Sequence, residues 1–302
     1  MTDLGQIITA MVTPFEAGNK SQIDYDATGK LIEHLVNNGS SAIIISGTTG
    51  ESPTLSHDEE IELLKFAKNK LAELNASTKL VFGAGSNSTQ TSITMSKRAE
   101  EVGVDALLIV TPYYNKPNQA GLRAHYSLIA QATDLPIILY NVPSRTNISL
   151  TADTIIELYR DYPQICMLKE ASSNIDIISQ IRGQLSAAEF AIYSGDDSLT
   201  LPMMAVGAQG VISVASHLVG NEMQEMLNAF KQGELSKAQQ IQYKLMPLFD
   251  NLFVEPNPTC VKAALAITGL CSAELREPLV PLSAKQEAKL KQVIQKLELQ
   301  TQ

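Results

Sequence analysis

Short apolar, β-branched runs recur along the chain, each bounded by turn residues and each followed by a stretch with helical spacing. Eight are present: Ile7 to Val12, Ala42 to Ser46, Leu80 to Ala84, Ala106 to Thr111, Pro136 to Asn141, Ile165 to Lys169, Phe190 to Ser194 and Gly210 to Val214. They are near-continuously apolar, as parallel strands covered on both faces require. Between them, Ile61, Leu64, Phe66, Ala67 and Leu71 share one helical face behind Ser56 and Glu59, which are spaced as a capping box. Asn38-Gly39 and Val102-Gly103 read as helix stops. Eight such units predict an α/β fold, a (β/α)8 TIM barrel. The rival, a doubly wound sheet, uses fewer strands and a glycine fingerprint after the first, where this chain has Thr13-Pro14-Phe15. Beyond Val214 there is room for a closing helix and a C-terminal helical appendage, with helices expected over Asn221–Lys231, Glu234–Leu248, Thr259–Thr268 and Ala284–Leu299. The expected division is a catalytic barrel over residues 1–231 and a helical region over 232–302.

Composition narrows the partners. With 23 Lys and Arg against 32 Asp and Glu, the formal charge of −9 argues against nucleic acid or an anionic membrane. A hydrophobic content of 44% allows a large core and excludes disordered and low-complexity classes. Cys166, Cys260 and Cys271 lie too far apart for a C-x-x-C site and are odd in number, which fits buried thiols in a reducing compartment. The N-terminus lacks a basic segment before an apolar run, and no apolar stretch reaches the ~18 residues of a membrane span, so a soluble, cytoplasmic protein is expected.

Barrel enzymes react at the C-terminal ends of their strands. The second run ends in Gly47-Thr48-Thr49-Gly50-Glu51, whose hydroxyls and backbone N–H groups suit a small carboxylate; an ordinary turn leading to the cap at Ser56 is the plainer reading. The sixth run ends in Lys169-Glu170, a lysine at the mouth end of an apolar strand. Desolvated lysines attack carbonyls to form Schiff bases, although a lysine there could also snorkel to solvent or pair with Glu170. One strand away, the fifth run ends in Tyr140-Asn141-Val142-Pro143-Ser144-Arg145, offering a phenol for proton relay and a guanidinium for a carboxylate. Tyr113 and Tyr114, in the Pro-bracketed loop Thr111 to Pro117, suit a subunit contact, a functional role, or both. Gly83-Ala84-Gly85 lacks the third glycine of a dinucleotide fingerprint, and His34, His57, His125 and His217 are scattered without ligand spacing. No metal site and no cofactor are expected, which leaves the amine mechanism.

Taken together, Gly47-Thr48-Thr49-Gly50-Glu51, Thr111-Pro112-Tyr113-Tyr114-Asn115, Tyr140 to Arg145, Lys169-Glu170-Ala171, Ser194-Gly195-Asp196-Asp197 and Gly210 to Val214 resemble the dihydrodipicolinate synthase family. The likeness covers nearly the whole chain, including Phe253 to Pro258. It implies condensation of pyruvate with aspartate semialdehyde to 4-hydroxy-tetrahydrodipicolinate, on the way to diaminopimelate and lysine. By resemblance, Lys169 forms the imine with pyruvate, and Thr48, Tyr140 and Tyr114 make a proton relay, with Tyr114 supplied by a neighbouring subunit. Thr49 and the backbone at Ile212 hold the pyruvate carboxylate, Gly195 lines the site, and Arg145 receives the second substrate's carboxylate. A homo-oligomer is implied, a tetramer built as a dimer of dimers, with a dimer as the alternative. A feedback site for lysine would map onto Ser52, Pro53, His57, Glu60, Asn87, Thr91 and Tyr113, where Glu60 replaces a histidine and Thr91 an acid; Ser52, His57, Asn87 and Tyr113 keep the pattern. Within the wider superfamily, N-acetylneuraminate lyase and keto-deoxy-sugar aldolases share the barrel, the lysine and the tyrosine. Thr48-Thr49 with Arg145 argues against them, since a sugar chain needs hydroxyl partners where this sequence offers a cation. A non-catalytic metabolite-binding regulator is the reading from another class, and the intact set Lys169, Tyr140, Thr48 and Arg145 opposes it.

Overall fold

A computed structural model describes residues 3–297. The strands are β1 (Ile7–Ala10), β2 (Phe15–Glu16), β3 (Asn19–Ile23), β4 (Ala42–Ile45), β5 (Lys79–Gly83), β6 (Ala106–Val110), β7 (Ile137–Asn141), β8 (Ile165–Glu170), β9 (Ala191–Ser194) and β10 (Gly210–Ser213). Eight of them form a closed barrel in the order β1-β10-β9-β8-β7-β6-β5-β4, and β2 pairs with β3 apart from it. All eight expected runs are barrel strands. Most stop a residue or two early at the C-terminal end, where the chain leaves the ladder for the loops that carry chemistry. β1, β4, β7, β8, β9 and β10 are buried at every position, which explains why the runs read as continuously apolar.

The helices are α1 (Tyr25–Asn37), α2 (His57–Glu73), α3 (Thr89–Val102), α4 (Gln119–Ala130), α5 (Pro143–Thr146), α6 (Ala152–Asp161), α7 (Asp176–Arg182), α8 (Thr200–Ala205), α9 (Ser216–Lys231), α10 (Leu235–Asn251), α11 (Thr259–Ile267) and α12 (Ala284–Lys296). By contact the chain forms two compact units. Among the described residues, one comprises 3–5 and 79–212; the other comprises 6–78 and 213–297.

In the first unit, Ser88, Asn118 and Thr151 cap α3, α4 and α6 with their side-chain oxygens. Gly103 closes α3 in the left-handed conformation, as its position predicts. A Cβ on Gly85 would lie 2.4 Å from the Val110 backbone nitrogen. Gly85, just after β5, therefore serves close packing against the end of β6.

In the second unit, the Ser56–Glu59 capping box starts α2 as expected. Two elements depart from the sequence reading. The β2–β3 hairpin turns at Gly18 (φ +74°), and its exposed Asn19, Ser21 and Gln22 give no apolar pattern to read. α9 begins at Ser216 rather than Asn221, because a kink at Val219 and the glycine at 220 interrupt the helical pattern. Gly220 is required there: a Cβ would sit 2.0 Å from the Asn38 carbonyl oxygen. The other three C-terminal helices match their expected positions within about a turn, and the expected end of the last, Leu299, lies outside the described residues. No helix among the described residues is long and apolar enough to cross a membrane.

Candidate active site

In the first unit, the register of β7 on β8 sets Tyr140 beside Lys169 and Asn141 beside Glu170. Side chains alternate along a strand, so these two pairs point to opposite faces. The Lys169 side chain is buried, and its Nζ lies 4.4 Å from the centroid of the Tyr140 ring. No carboxylate holds this nitrogen among the described residues. Glu170, its chain neighbour, is fully buried and engaged elsewhere: Asn141 Nδ2 donates to Oε2 at 2.9 Å and the Ser172 N–H to Oε1 at 2.6 Å. Burial pushes the Glu170 carboxyl above the usual range, against the pull of those donors. The alternative that Lys169 pairs with Glu170 is thereby overturned. Asn141 also accepts the Leu150 N–H, tying the end of β7 to the segment behind α5. Gly195 fits because it lacks a side chain, since a Cβ would approach Lys169 Cε at 3.2 Å and Ala171 Cβ at 2.6 Å. Ile212 is buried near the end of β10.

Arg145 sits on α5, the single turn after β7, with Asn147 closing it in the left-handed conformation. Buried Thr146 anchors the turn, accepting from Thr111 Oγ1 at 3.1 Å. Arg145 is exposed and has no carboxylate partner among the described residues. Tyr114 stands apart from this group. It is 91% exposed at the tip of the β6–α4 loop with φ +72°, a conformation unusual for a bulky residue. Asn115 braces the loop by donating to the Asn87 carbonyl at 2.8 Å.

In the second unit, the Gly47–Glu51 turn is bracketed by two left-handed residues, Ser46 (φ +59°) and Glu51 (φ +56°). The expected cradle is narrower than the motif suggested. Gly50, Glu51 and Ser52 spend their N–H groups on the Gly47 and Thr48 carbonyls, which leaves the N–H groups of Thr48 and Thr49 unengaged among the described residues. Thr49 is buried and its Oγ1 accepts from Asn257 Nδ2 at 2.9 Å; Thr48 is half-buried. Glu51 Oε1 takes Lys262 Nζ at 2.6 Å, a pair with both side chains essentially inaccessible, and Oε2 takes the Arg276 N–H at 3.0 Å. Burial pushes the Lys262 ammonium down, with Glu51 opposing it. Lys262 Nζ and the Arg276 guanidinium both lie over the Phe15 ring, 4.0 and 4.5 Å from its centroid. The sequence reading gave no role to Asn257 or Lys262, and considered Glu170 only as a partner for Lys169. A lysine inside the apolar stretch Val261 to Leu265 was the available signal for one of them.

The residues matching a lysine-feedback pattern are placed individually. Ser52 opens a short 3-10 turn after Glu51 and is half-buried, His57 is exposed at the start of α2, Asn87 is half-buried before α3, and Tyr113 is part-exposed beside Tyr114.

Chemically, the first unit supplies a buried amine against a phenol, with an unpaired guanidinium five residues beyond the phenol. The second supplies hydroxyls and free N–H groups on a rigid turn. The first set by itself suits carbonyl chemistry, and the second by itself suits a small carboxylate. A protein from Listeria monocytogenes named 4-hydroxy-tetrahydrodipicolinate synthase is 49% identical over 297 residues, covering 98% of this chain and 99% of its own. One from Halalkalibacterium halodurans, named 4-hydroxy-tetrahydrodipicolinate synthase 1, is 47% identical over 292 residues, 97% of each. The crystal structure of the Cyanidioschyzon merolae synthase with lysine bound superposes with a TM-score of 0.95 at 45% identity, covering 98% of this chain and 99% of that one. The sequence model of the dihydrodipicolinate synthetase family matches residues 3–297, nearly every position from Asp3 to the end of the last helix, and the chain belongs to that family.

Proposed function

We propose that this enzyme condenses pyruvate with L-aspartate 4-semialdehyde to give 4-hydroxy-tetrahydrodipicolinate, through an imine between pyruvate and Lys169. The observation that carries the assignment is the buried Lys169 amine, set over the Tyr140 ring and unclaimed by the adjacent Glu170. The amine nitrogen adds to the ketone carbon of pyruvate, and loss of water gives the protonated imine. This draws electrons from the methyl group, which gives up a proton to form an enamine. The enamine carbon bonds to the aldehyde carbon of the second substrate, whose oxygen takes a proton. That substrate's amine then displaces the lysine and closes the ring.

Tyr140 and Thr48 relay the protons, with Tyr114 of a neighbouring subunit completing the relay. Thr49 and the Ile212 backbone take the pyruvate carboxylate, and Gly195 keeps space beside the Lys169 side chain. Arg145 takes the second carboxylate, a role supported by its lack of any acidic partner among the described residues. A homotetramer is proposed with it, supported by the exposure of Tyr114, an aromatic side chain that a second copy of the chain would cover. The free thiols Cys166, Cys260 and Cys271 fit a cytoplasmic enzyme.

Borohydride reduction in the presence of pyruvate, followed by peptide mass mapping, tests the central step. The reduced pyruvyl adduct is expected on the peptide containing Lys169. An adduct confined to another lysine, or none in active enzyme, would overturn the assignment.

A further inference from the structure

We infer that Asn257 and Lys262, both in the C-terminal helical region, are positioning residues for the pyruvate carboxylate, acting through the Thr48–Thr49 turn. The inference rests on the assignment of Thr49 to that carboxylate and adds the residues that aim it.

Asn257 is buried, and its amide donates through Nδ2 to Thr49 Oγ1, 208 positions away, while its own Oδ1 is buried with no partner among the described residues. A half-satisfied buried amide is costly, so its retention calls for a reason. The bond supplies one. A hydroxyl that already accepts from Asn257 keeps its single proton for another acceptor. In the site proposed above, that acceptor is a carboxylate oxygen.

Lys262 holds the backbone beneath this hydroxyl. The turn is strained at both ends, at Ser46 and Glu51, and a strained turn persists only where its surroundings over-determine it. Glu51 is pinned by Lys262 Nζ on one oxygen and the Arg276 N–H on the other. Gly50 is pinned by Thr13 Oγ1, which donates to its carbonyl at 2.7 Å. A buried ion pair is a poor source of net stability, because well-packed apolar replacements often equal or exceed it. Its value here is geometric: it fixes which way the Thr48 and Thr49 N–H groups face, the donors the turn leaves unspent.

The test compares Asn257→Asp, Asn257→Ala and the paired variant Glu51→Gln/Lys262→Met, all in the full-length enzyme. The paired variant avoids leaving one charge buried alone, as Lys262→Met would. Asp at 257 is isosteric but can only accept, so it takes the Thr49 proton away from pyruvate. KM for pyruvate is expected to rise about 10- to 100-fold with Asn257→Asp, less with Asn257→Ala, and about 10-fold with the paired variant. KM for aspartate semialdehyde should stay unchanged and kcat should fall little, since the lost contact serves ground state and transition state alike. Melting temperature is recorded alongside, because a merely structural role would lower it and leave the pyruvate KM of the folded enzyme untouched.

Borohydride trapping on the wild type separates the two readings. A wild-type adduct absent from Lys169 would overturn the imine site and this inference with it. Normal wild-type trapping together with an unchanged pyruvate KM in folded Asn257→Asp and Glu51→Gln/Lys262→Met would overturn the positioning role alone.

Discussion

Lys169 Nζ lies 4.4 Å from the centre of the Tyr140 ring, across the β7–β8 ladder where the two residues are register partners. The contact uses the face of the ring, and the phenol oxygen has no partner among the described residues. Tyr140→Phe therefore keeps the ring and the packing while removing the hydroxyl. Turnover should fall roughly 10²- to 10⁴-fold, the usual worth of a proton-relay group, with the melting temperature nearly unchanged. Near-normal kcat in a folded Tyr140→Phe enzyme would return Tyr140 to a packing role.

Arg145 makes a separable prediction. It is exposed, and no acidic side chain pairs with it among the described residues, so Arg145→Ala should cost less than about 0.5 kcal/mol of stability. Pyruvate trapping on Lys169 should survive while condensation with the semialdehyde collapses. Equal loss of both steps would mean that Arg145 supports the loop itself.

The strands were legible because parallel strands buried on both faces leave long apolar runs, and the polar residues ending those runs, Lys169, Tyr140 and the Thr48–Thr49 turn, stand out for the same reason. What escaped was non-local or patternless. Asn257 meets Thr49 across 208 positions and Lys262 meets Glu51 across 211, so no spacing rule connects them. The β2–β3 hairpin carries polar, exposed residues, and Gly220 hides the first turn of α9. The spent N–H groups of Gly50, Glu51 and Ser52 follow from the left-handed backbone of Ser46 and Glu51, which composition does not announce.

Tyr114, almost wholly exposed, is assigned to a neighbouring subunit's site, and mixed oligomers can show it. Tyr114→Phe and Tyr140→Phe should each be nearly inactive alone. In a hybrid of the two across the shared interface, one site carries both lesions and the other carries neither. Mixing the variants under conditions that exchange subunits should therefore restore activity well above either parent. Absence of recovery despite verified exchange would place Tyr114 outside the relay or in its own subunit's site.

Inhibition by lysine should be weak. α2 buries Glu60, where the lysine-sensitive pattern has a histidine, and Thr91 stands in the place of an acid that would meet the effector's ammonium. An effector ammonium left without its acid costs on the order of 1–3 kcal/mol, and about 1.4 kcal/mol is already tenfold in affinity. Initial rates should be little affected by millimolar lysine. Sub-millimolar half-inhibition at subsaturating pyruvate would show that Ser52, His57, Asn87 and Tyr113 suffice.

The two buried histidines set an acid limit on stability. His217 accepts the Val12 N–H at Nε2 (3.2 Å), while Nδ1 lies 2.8 Å from the Val214 carbonyl, a pattern that requires the neutral ring protonated at Nδ1. His125 hydrogen-bonds Thr89 at 2.9 Å through Nδ1, and its buried Nε2 has no hydrogen-bond partner among the described residues. Burial lowers both rings to about 4 from an ordinary value near 6.5. The sign follows from proton uptake. Above pH 6.5 both the folded and unfolded chains hold neutral rings, and stability is complete. Between 6.5 and 4 the unfolded chain binds protons that the folded chain refuses, so stability falls with pH, by about 2 kcal/mol for each histidine at pH 5. Glu170 has the opposite slope, since its raised value makes folding favour the protonated carboxyl as pH falls. Urea unfolding at pH 7 and pH 5, with protein concentration fixed, should show a net loss in the wild type and a loss smaller by about 2 kcal/mol in His125→Gln. An identical loss in both proteins would mean that His125 takes up its proton in the folded state as readily as in the unfolded one, with the vacant Nε2 finding an acceptor when it does.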